Sequence, residues 1–259
     1  MFKDHFSGHA ADYASHRPTY PPELFAFLAS VAPARTFAWD CGTGNGQAAV
    51  MLAEHFDRVY ATDPSAEQVT QAEPHPKVEY AVAPAEKCPL PDRSADIITV
   101  AQAIHWFDFD RFYAEVRRVL RPGGVIAAWG YAFHRVNPAV DAVLMRLENE
   151  FVGPYWPPER KYPEARYATL PFPFAEVPAP PFAMSMSWTL AETLGYLNTW
   201  SATKRFIKEH GFNPVERLTP EFAAAWGDPT ERRPVTWDLF MKLGRVSGSP
   251  EGTTGNSQG

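Results

Sequence analysis

Residues 39–52 read WDCGTGNGQAAVML. An apolar run closes on Asp40, three glycines follow at every second position, and a helix-forming run begins at once. Glycine interrupts both strands and helices, so three together require either unusual backbone angles or the close approach of something to the backbone. A tight turn alone accounts for one glycine or two. The spacing therefore predicts a close-approach loop, whose N–H groups at the start of the following helix face a polar group of a ligand.

Outward from this loop the chain alternates strands and helices. TFAWD (36–40), RVYAT (58–62), VEYAV (78–82), DIITV (96–100) and VIAAWGY (125–131) read as strands. Most are apolar at consecutive positions, the pattern of a parallel sheet buried on both faces. Leu24, Phe27, Leu28 and Val31 form one helical stripe, and Phe109, Phe112, Tyr113, Val116, Val119 and Leu120 form another. The second stripe runs into Arg121-Pro122-Gly123-Gly124, where proline and glycine end the helix and turn the chain into the next strand. Repeated strand–helix–strand units predict an α/β fold with a doubly wound, mostly parallel sheet.

Beyond about residue 150 the composition changes: nine of the 26 prolines fall between Pro154 and Pro181, too many for a long helix. That stretch is expected as an extended, packed connection. Helical patterns follow at 190–200 and 213–226, and VTWDLFMKLGRV (235–246) reads as a late strand. Five of the eight tryptophans lie in this part, as the wall of a pocket or as ordinary core. The expected organisation is a core with an N-terminal lid segment over 1–131, a helical and aromatic cap inserted over 132–234, a returning strand over 235–246 and a disordered polar tail over 247–259.

A formal net charge of −6 argues against a general nucleic-acid binder. No apolar run is long enough to cross a bilayer, the N-terminus has no signal-like apolar region, and the two cysteines have no metal-like spacing, so a cytoplasmic location is expected. His5 and His9 are four apart but have Gly8 between them and no third ligand, so no metal is expected.

In such a sheet ligands sit beyond the carboxyl ends of the strands, where strand order reverses. A dinucleotide loop reads G-x-G-x-x-G, whereas this chain has Gly42, Gly44 and Gly46, with Gln47 where the last glycine would stand. Asp63, closing the second strand, is placed to accept both hydroxyls of a ribose, or else serves only as turn chemistry before the helix cap at Ser65.

DCGTGNG (40–46), ATD (61–63), PAEKCPLPDRSADIITV (84–100), AQAIHWFD (101–108) and LRPGG (120–124) together resemble the class I S-adenosylmethionine-dependent methyltransferases, type 11. Within these they are most similar to the trans-aconitate methyltransferase-like group. The resemblance covers about residues 4–131 and implies a Rossmann-like fold, with S-adenosylmethionine as cofactor and S-adenosylhomocysteine as product. It further implies that Asp40 and Gly42, Gly44 and Gly46 hold the methionine portion and that Asp63 binds the ribose. Ala85 and Glu86 would lie beside the adenine, with Ala101 and Gln102 toward the sulfonium. Relatives often carry Asp or Ser before the Ala-Glu pair, and Pro84 here offers no such side chain.

Methyl transfer from a sulfonium is an in-line displacement, so the protein mainly aligns the reactants and excludes water. A base is needed only where the acceptor carries a proton on its reacting atom. His105 is the candidate base, against a purely structural role beside Trp106. Trp106 is a candidate wall of the acceptor site. Tyr13 and Arg17, in the lead-in ADYASHRPTYP, are candidate pocket residues, with Arg17 able to pair a carboxylate. The expected acceptor is a small molecule, with neither nucleic acid nor membrane as partner. Oxygen methylation of a carboxylate or hydroxyl is the leading expectation. A nicotinamide-dependent oxidoreductase and a non-catalytic S-adenosylmethionine-binding protein are the alternatives; the oligomeric state is not readable.

Overall fold

The computed structural model describes residues 18–246. Tyr13, Arg17, His5, His9 and the tail expected at 247–259 lie outside the described residues.

The core is built from α1 (Pro22–Val31), β1 (Phe37–Cys41), α2 (Gln47–Ala53), β2 (Arg58–Asp63), α3 (Ala66–Thr70), β3 (Val78–Val82), β4 (Ala95–Ala101), α4 (Phe109–Val119) and β5 (Leu120–Tyr131). After β5 come α5 (Pro138–Leu147), several short turns, α6 (Lys161–Glu164), β6 (Ala175–Glu176), β7 (Phe182–Trp188), α7 (Leu190–Thr199), α8 (Ser201–His210), α9 (Pro214–Trp226) and β8 (Arg233–Arg245). The strands form one eight-stranded sheet of order β3-β2-β1-β4-β5-β8-β6, with β7 also paired to β8. Strands β1 to β5 are parallel, and β8 runs antiparallel to β5, β6 and β7. This is the doubly wound, mostly parallel sheet that the consecutive apolar runs imply. β1 after Phe37, β4 up to Val100 and β5 from Gly124 onward are buried, as strands covered on both faces must be.

Two expectations need correction. β5 begins at Leu120, five residues before the expected strand. Its register against β4 jumps between Ala95 and Ile97, so the Pro-Gly-Gly turn is absorbed as an irregularity within the strand, with Gly123 at φ +77°. Second, the segment expected as a cap over 132–234 is partly sheet: Phe182–Trp188 pairs along β8 from Phe182↔Leu239 to Trp188↔Arg233. Its side chains alternate, with Met184 and Trp188 buried and Ser185 and Ser187 exposed, a period-two signal masked in the sequence by the prolines before it.

The tryptophans of this half are mainly core. Trp188, Trp200, Trp226 and Trp237 are buried, and Trp188, Tyr196 and Trp237 meet pairwise at ring separations of 5.2–5.5 Å. Such pairs add to the area that they bury and fasten helix α7 to β7 and β8. Only Trp156 is half-buried.

Candidate active site

Parallel pairing places the carboxyl ends of β1, β2 and β4 side by side, with Asp40 opposite Thr99 and Cys41 opposite Thr62. Strand order reverses between β1 and β4, so a crevice must open there. The glycine turn stands at that point. Gly42, Gly44 and Gly46 have φ of +70°, +58° and +86°, so all three occupy the left-handed region that L side chains avoid. The turn itself thus demands each glycine, which corrects the expectation that one or two would suffice. They differ in what surrounds them. A Cβ on Gly42 would lie 2.6 Å from Ala103 Cβ, and one on Gly46 would collide with the Tyr80 hydroxyl. At Gly44 the nearest atom would be Gln68 Oε1 at 3.8 Å, an ordinary contact, so of the three only this glycine has room for a Cβ.

The turn is braced by its own hydrogen bonds. Gly42 N and Thr43 N donate to Thr62 O at 2.8 and 2.9 Å, tying it to β2. Gly44 N donates to Asp63 Oδ2, and Ser65 N to Asp63 Oδ1, both at 2.9 Å. Asp63 is therefore oriented by two backbone donors, and each carboxylate oxygen keeps accepting capacity for a further donor. The turn-chemistry role weighed against ribose binding is thus present, and it leaves room for the other.

Asp40 lies beneath the turn, 1% exposed. Thr43 Oγ1 donates to its Oδ2 at 2.6 Å and Thr99 Oγ1 to its Oδ1 at 2.7 Å. Burial pushes its pKa up to about 6, the two hydroxyls pull it down, and Asp63 raises it slightly. At neutral pH it is mostly ionised, a buried anion close to the crevice with no cation paired to it among the described residues.

Gln47, where a dinucleotide loop would have glycine, donates from Nε2 to Pro18 O at 3.1 Å and so holds the lead-in segment against the start of α2. Gln102 adopts φ +54°, an uncommon conformation for a side-chain-bearing residue, right at the end of β4. Its Nε2 donates to Tyr131 O at 2.8 Å, so its amide braces the end of β5. Ala85 is buried in the loop after β3. That loop is clamped to α4, since Cys88 N donates to Glu115 Oε1 at 2.7 Å and Arg118 donates to the carbonyls of Cys88 and Leu90. The Glu86 carboxylate accepts from Asp108 N at 3.0 Å, at the cap of α4, which leaves its backbone as the part available beside a ligand.

His105 occupies a short helical turn, Ile104–Trp106, and is buried. Its Nδ1 lies 3.2 Å from the Tyr167 hydroxyl. Burial lowers its pKa to about 3, helped by the Arg160 guanidinium nearby. Burial raises the Tyr167 pKa far above that of a free phenol, so the phenol keeps its proton, and either partner can donate in this contact according to the imidazole tautomer. A group with these properties is a poor general base near neutral pH, because catalytic bases work best with a pKa near the operating pH. Trp106 is half-buried beside it, with ring centroids 5.0 Å apart.

Thr43, Thr99, Tyr167 and Arg160 were not singled out from the sequence. Thr43 sits inside the glycine stretch and could have been noticed. Tyr167 lies 62 residues from His105, with no local signal.

The sequence model of the family described as "Methyltransferase domain" matches residues 39–128. A Dictyostelium discoideum protein described as a methyltransferase is 37% identical over 211 residues, 80% of either chain. The chain belongs to the class I S-adenosylmethionine-dependent methyltransferases. A solved structure from Anaeromyxobacter dehalogenans, described as a type II methyltransferase, is 50% identical with a TM-score of 0.85 and covers 89% of this chain and 98% of its own. An uncharacterized methyltransferase of Mycobacterium tuberculosis is 34% identical over 174 residues, 66% of each chain. This methyltransferase is therefore an enzyme, and family membership removes the nicotinamide-dependent and non-catalytic alternatives. The trans-aconitate subgroup has no support among these relatives. No helix among the described residues is long and apolar enough to cross a membrane.

Proposed function

We propose that this methyltransferase methylates an oxygen of a small acceptor, a carboxylate in preference to a hydroxyl. The observation that carries the preference is the burial of His105 at the end of β4, with its Nδ1 3.2 Å from the Tyr167 hydroxyl and its pKa lowered by that burial. A hydroxyl acceptor needs a base to take its proton, whereas a carboxylate presents a ready nucleophile.

The residues around the glycine turn fit the family's cofactor. Gly44 leaves room for a ligand against the backbone, the Asp63 carboxylate is held where a ribose would be read, and Asp40 supplies a buried negative charge for an ammonium group. Bound there, S-adenosylmethionine supplies an electrophilic methyl group on sulfur. The chain's own contribution is to orient and to exclude water: Gln47 draws the lead-in segment toward the site, and the Gln102 amide fixes the ends of β4 and β5. His105 and Trp106 would border the acceptor, and Ala85 with the Glu86 backbone would flank the adenine. Tyr13 and Arg17 remain candidates for closing the pocket.

Isothermal titration with S-adenosylmethionine and S-adenosylhomocysteine, for the native chain and Asp63→Ala, tests the cofactor assignment. A fall in affinity of about 10- to 100-fold is expected on losing charge-assisted hydrogen bonds. Unchanged binding by Asp63→Ala would remove it from the site. A panel of small carboxylic acids and alcohols then tests the acceptor. Turnover of alcohols alone would overturn the carboxylate preference.

A further inference from the structure

Of the crossovers that join β1 to β5, only the one from β3 to β4, residues 83–94, contains no helix. Pro84, Pro89 and Pro91 have no N–H, so this segment cannot hold itself in place by a backbone ladder of its own. It is held from outside, by α4. Arginine carries five N–H donors, and Arg118 uses all of them here. Its Nε donates to Glu115 Oε2 at 2.8 Å, and its Nη1 to Leu90 O and Asp92 Oδ1, both at 2.7 Å. Its Nη2 donates to Cys88 O at 2.9 Å and to Glu115 Oε1 at 2.7 Å. Glu115, buried three residues earlier on α4, also accepts from Cys88 N at 2.7 Å. Arg93 N and Ser94 N donate to Arg118 O and Val119 O, each at 2.8 Å. The Asp92 contact is exposed and screened by water, so the two carbonyls and the buried carboxylate set the geometry. A planar fork reaches that set at once; a lysine ammonium, with three donors on a flexible stem, does not.

The other end of the segment lies at the proposed cofactor crevice. Ala83 N donates to Asp63 O at 3.2 Å, which starts the span beside the residue proposed to read the ribose. Ala85 is buried, and the Glu86 carboxylate accepts from Asp108 N at 3.0 Å, just past the turn Ile104–Trp106. Residues 83–88 are thus tethered at Asp63, at Asp108 and at the Glu115–Arg118 pair. Pro84 and Ala85 offer no polar side chain and the Glu86 carboxylate is occupied, so this span can read a purine edge only through its backbone. Such readout demands a fixed backbone, because hydrogen bonds weaken steeply with misalignment.

We infer that Arg118, acting with Glu115, is a positioning residue for base recognition: its fork fixes the span 83–88 on which the adenine of S-adenosylmethionine is read. The inference rests on the cofactor site proposed above. It is a claim about selectivity as well as affinity. Adenine offers a donor on its amino group beside an acceptor at N1, and hypoxanthine reverses both. A fixed backbone that suits the first therefore mispairs with the second. A loosened backbone can follow either pattern.

The test uses the full chain and two ligands, S-adenosylhomocysteine and its hypoxanthine counterpart S-inosylhomocysteine. Both are titrated calorimetrically into the native chain, Arg118→Gln, Arg118→Lys and Glu115→Gln. The last two are milder changes that guard against a folding defect in the first, and cooperative urea unfolding identifies the folded variants. The native chain should prefer the adenine ligand about 10- to 100-fold. In Arg118→Gln, S-adenosylhomocysteine affinity should fall about 10-fold or more and the preference to within about threefold. Arg118→Lys should restore neither, and Glu115→Gln should lie between. Asp63→Ala serves as the reference, weakening both ligands and leaving their ratio near native. If the native chain binds neither ligand, the cofactor reading fails and the inference goes with it. If Asp63→Ala weakens binding while the Arg118 variants keep native affinity and preference, the cofactor site stands and the inference is overturned. It is also overturned if Arg118→Gln weakens both ligands in equal proportion, as a general loosening of the fold would. The same holds if Arg118→Lys behaves as native or if the native chain binds both ligands equally.

Discussion

The two buried aspartates of the sheet, Asp40 and Asp96, sit at opposite edges and live in opposite circumstances. Asp96, at the start of β4, is fully buried and paired with a cation. Thr36 N, Thr36 Oγ1 and Phe37 N donate to its Oδ2 at 2.7–2.9 Å, and Arg121 Nη1 lies 2.8 Å from its Oδ1. Asp40, near the carboxyl end of β1, has two threonine hydroxyls, no cation and a pKa raised to about 6. One carboxylate ties the amino ends of β1 and β4 together. The other is left electrostatically unsatisfied where a cationic ligand is expected. The edge that does chemistry carries the unsatisfied charge, a common cost of a functional site.

The comparison can be broken in order of expected effect. Asp96→Ala should cost about 3–5 kcal/mol in urea denaturation, because it removes at once the acceptor of three hydrogen bonds and an ion pair from a buried position. A loss below about 1 kcal/mol would mean that Asp96 is no structural tie. Asp40→Asn should act in the opposite sense. The folded pKa of Asp40 exceeds its unfolded value, so its favourable contribution is complete below about pH 4 and is lost as pH rises through about 6. At pH 7.5 the ionised group therefore costs on the order of 3 kcal/mol, and the asparagine variant should be more stable by up to that amount. The gain should vanish near pH 4, with cofactor affinity reduced throughout; equal stabilisation at both pH values would rule out a titration effect. In the native chain, S-adenosylmethionine affinity should fall as pH drops below about 6, where Asp40 takes up its proton.

Smaller effects sharpen the same contrast. Gly44→Ala should destabilise by about 1–2 kcal/mol through its left-handed backbone alone, since there is room for the methyl group. Gly46→Ala should cost more, because Tyr80 must also move. Equal losses on denaturation would show that strain, not crowding, governs both. The smallest change is expected from His105→Gln: with a carboxylate acceptor, kcat should stay within about threefold. A fall of about 100-fold or more would restore the base role and with it a protonated acceptor.

Legibility in the sequence varied with the range of the interaction. Strands β1 to β4 and helix α4 could be placed because consecutive apolar runs and a 3.6-residue stripe are local signals. β7 was hidden, since its alternation follows a proline cluster and its partner β8 lies about fifty residues on. α5 and α8 went unread, although Asn137 before Pro138 is an ordinary helix start whose side chain caps the helix at Ala139 N and Val140 N. The glycine turn and Asp63 could be found because each follows a strand directly. The roles within them could not: only the tertiary structure shows that of the three glycines Gly44 alone has room for a Cβ and that Gln102 spends its amide on Tyr131.

The sequence by itself determined that this chain forms a doubly wound sheet with a glycine turn and an acidic second-strand end, because period and spacing are written in neighbouring residues. The tertiary structure decided the chemistry of the acceptor side. His105 offers a titratable imidazole in any linear reading. Its burial and the Arg160 charge, brought from more than fifty residues away, keep it neutral. Protonation energies depend on what surrounds a group in space, and no local pattern encodes that.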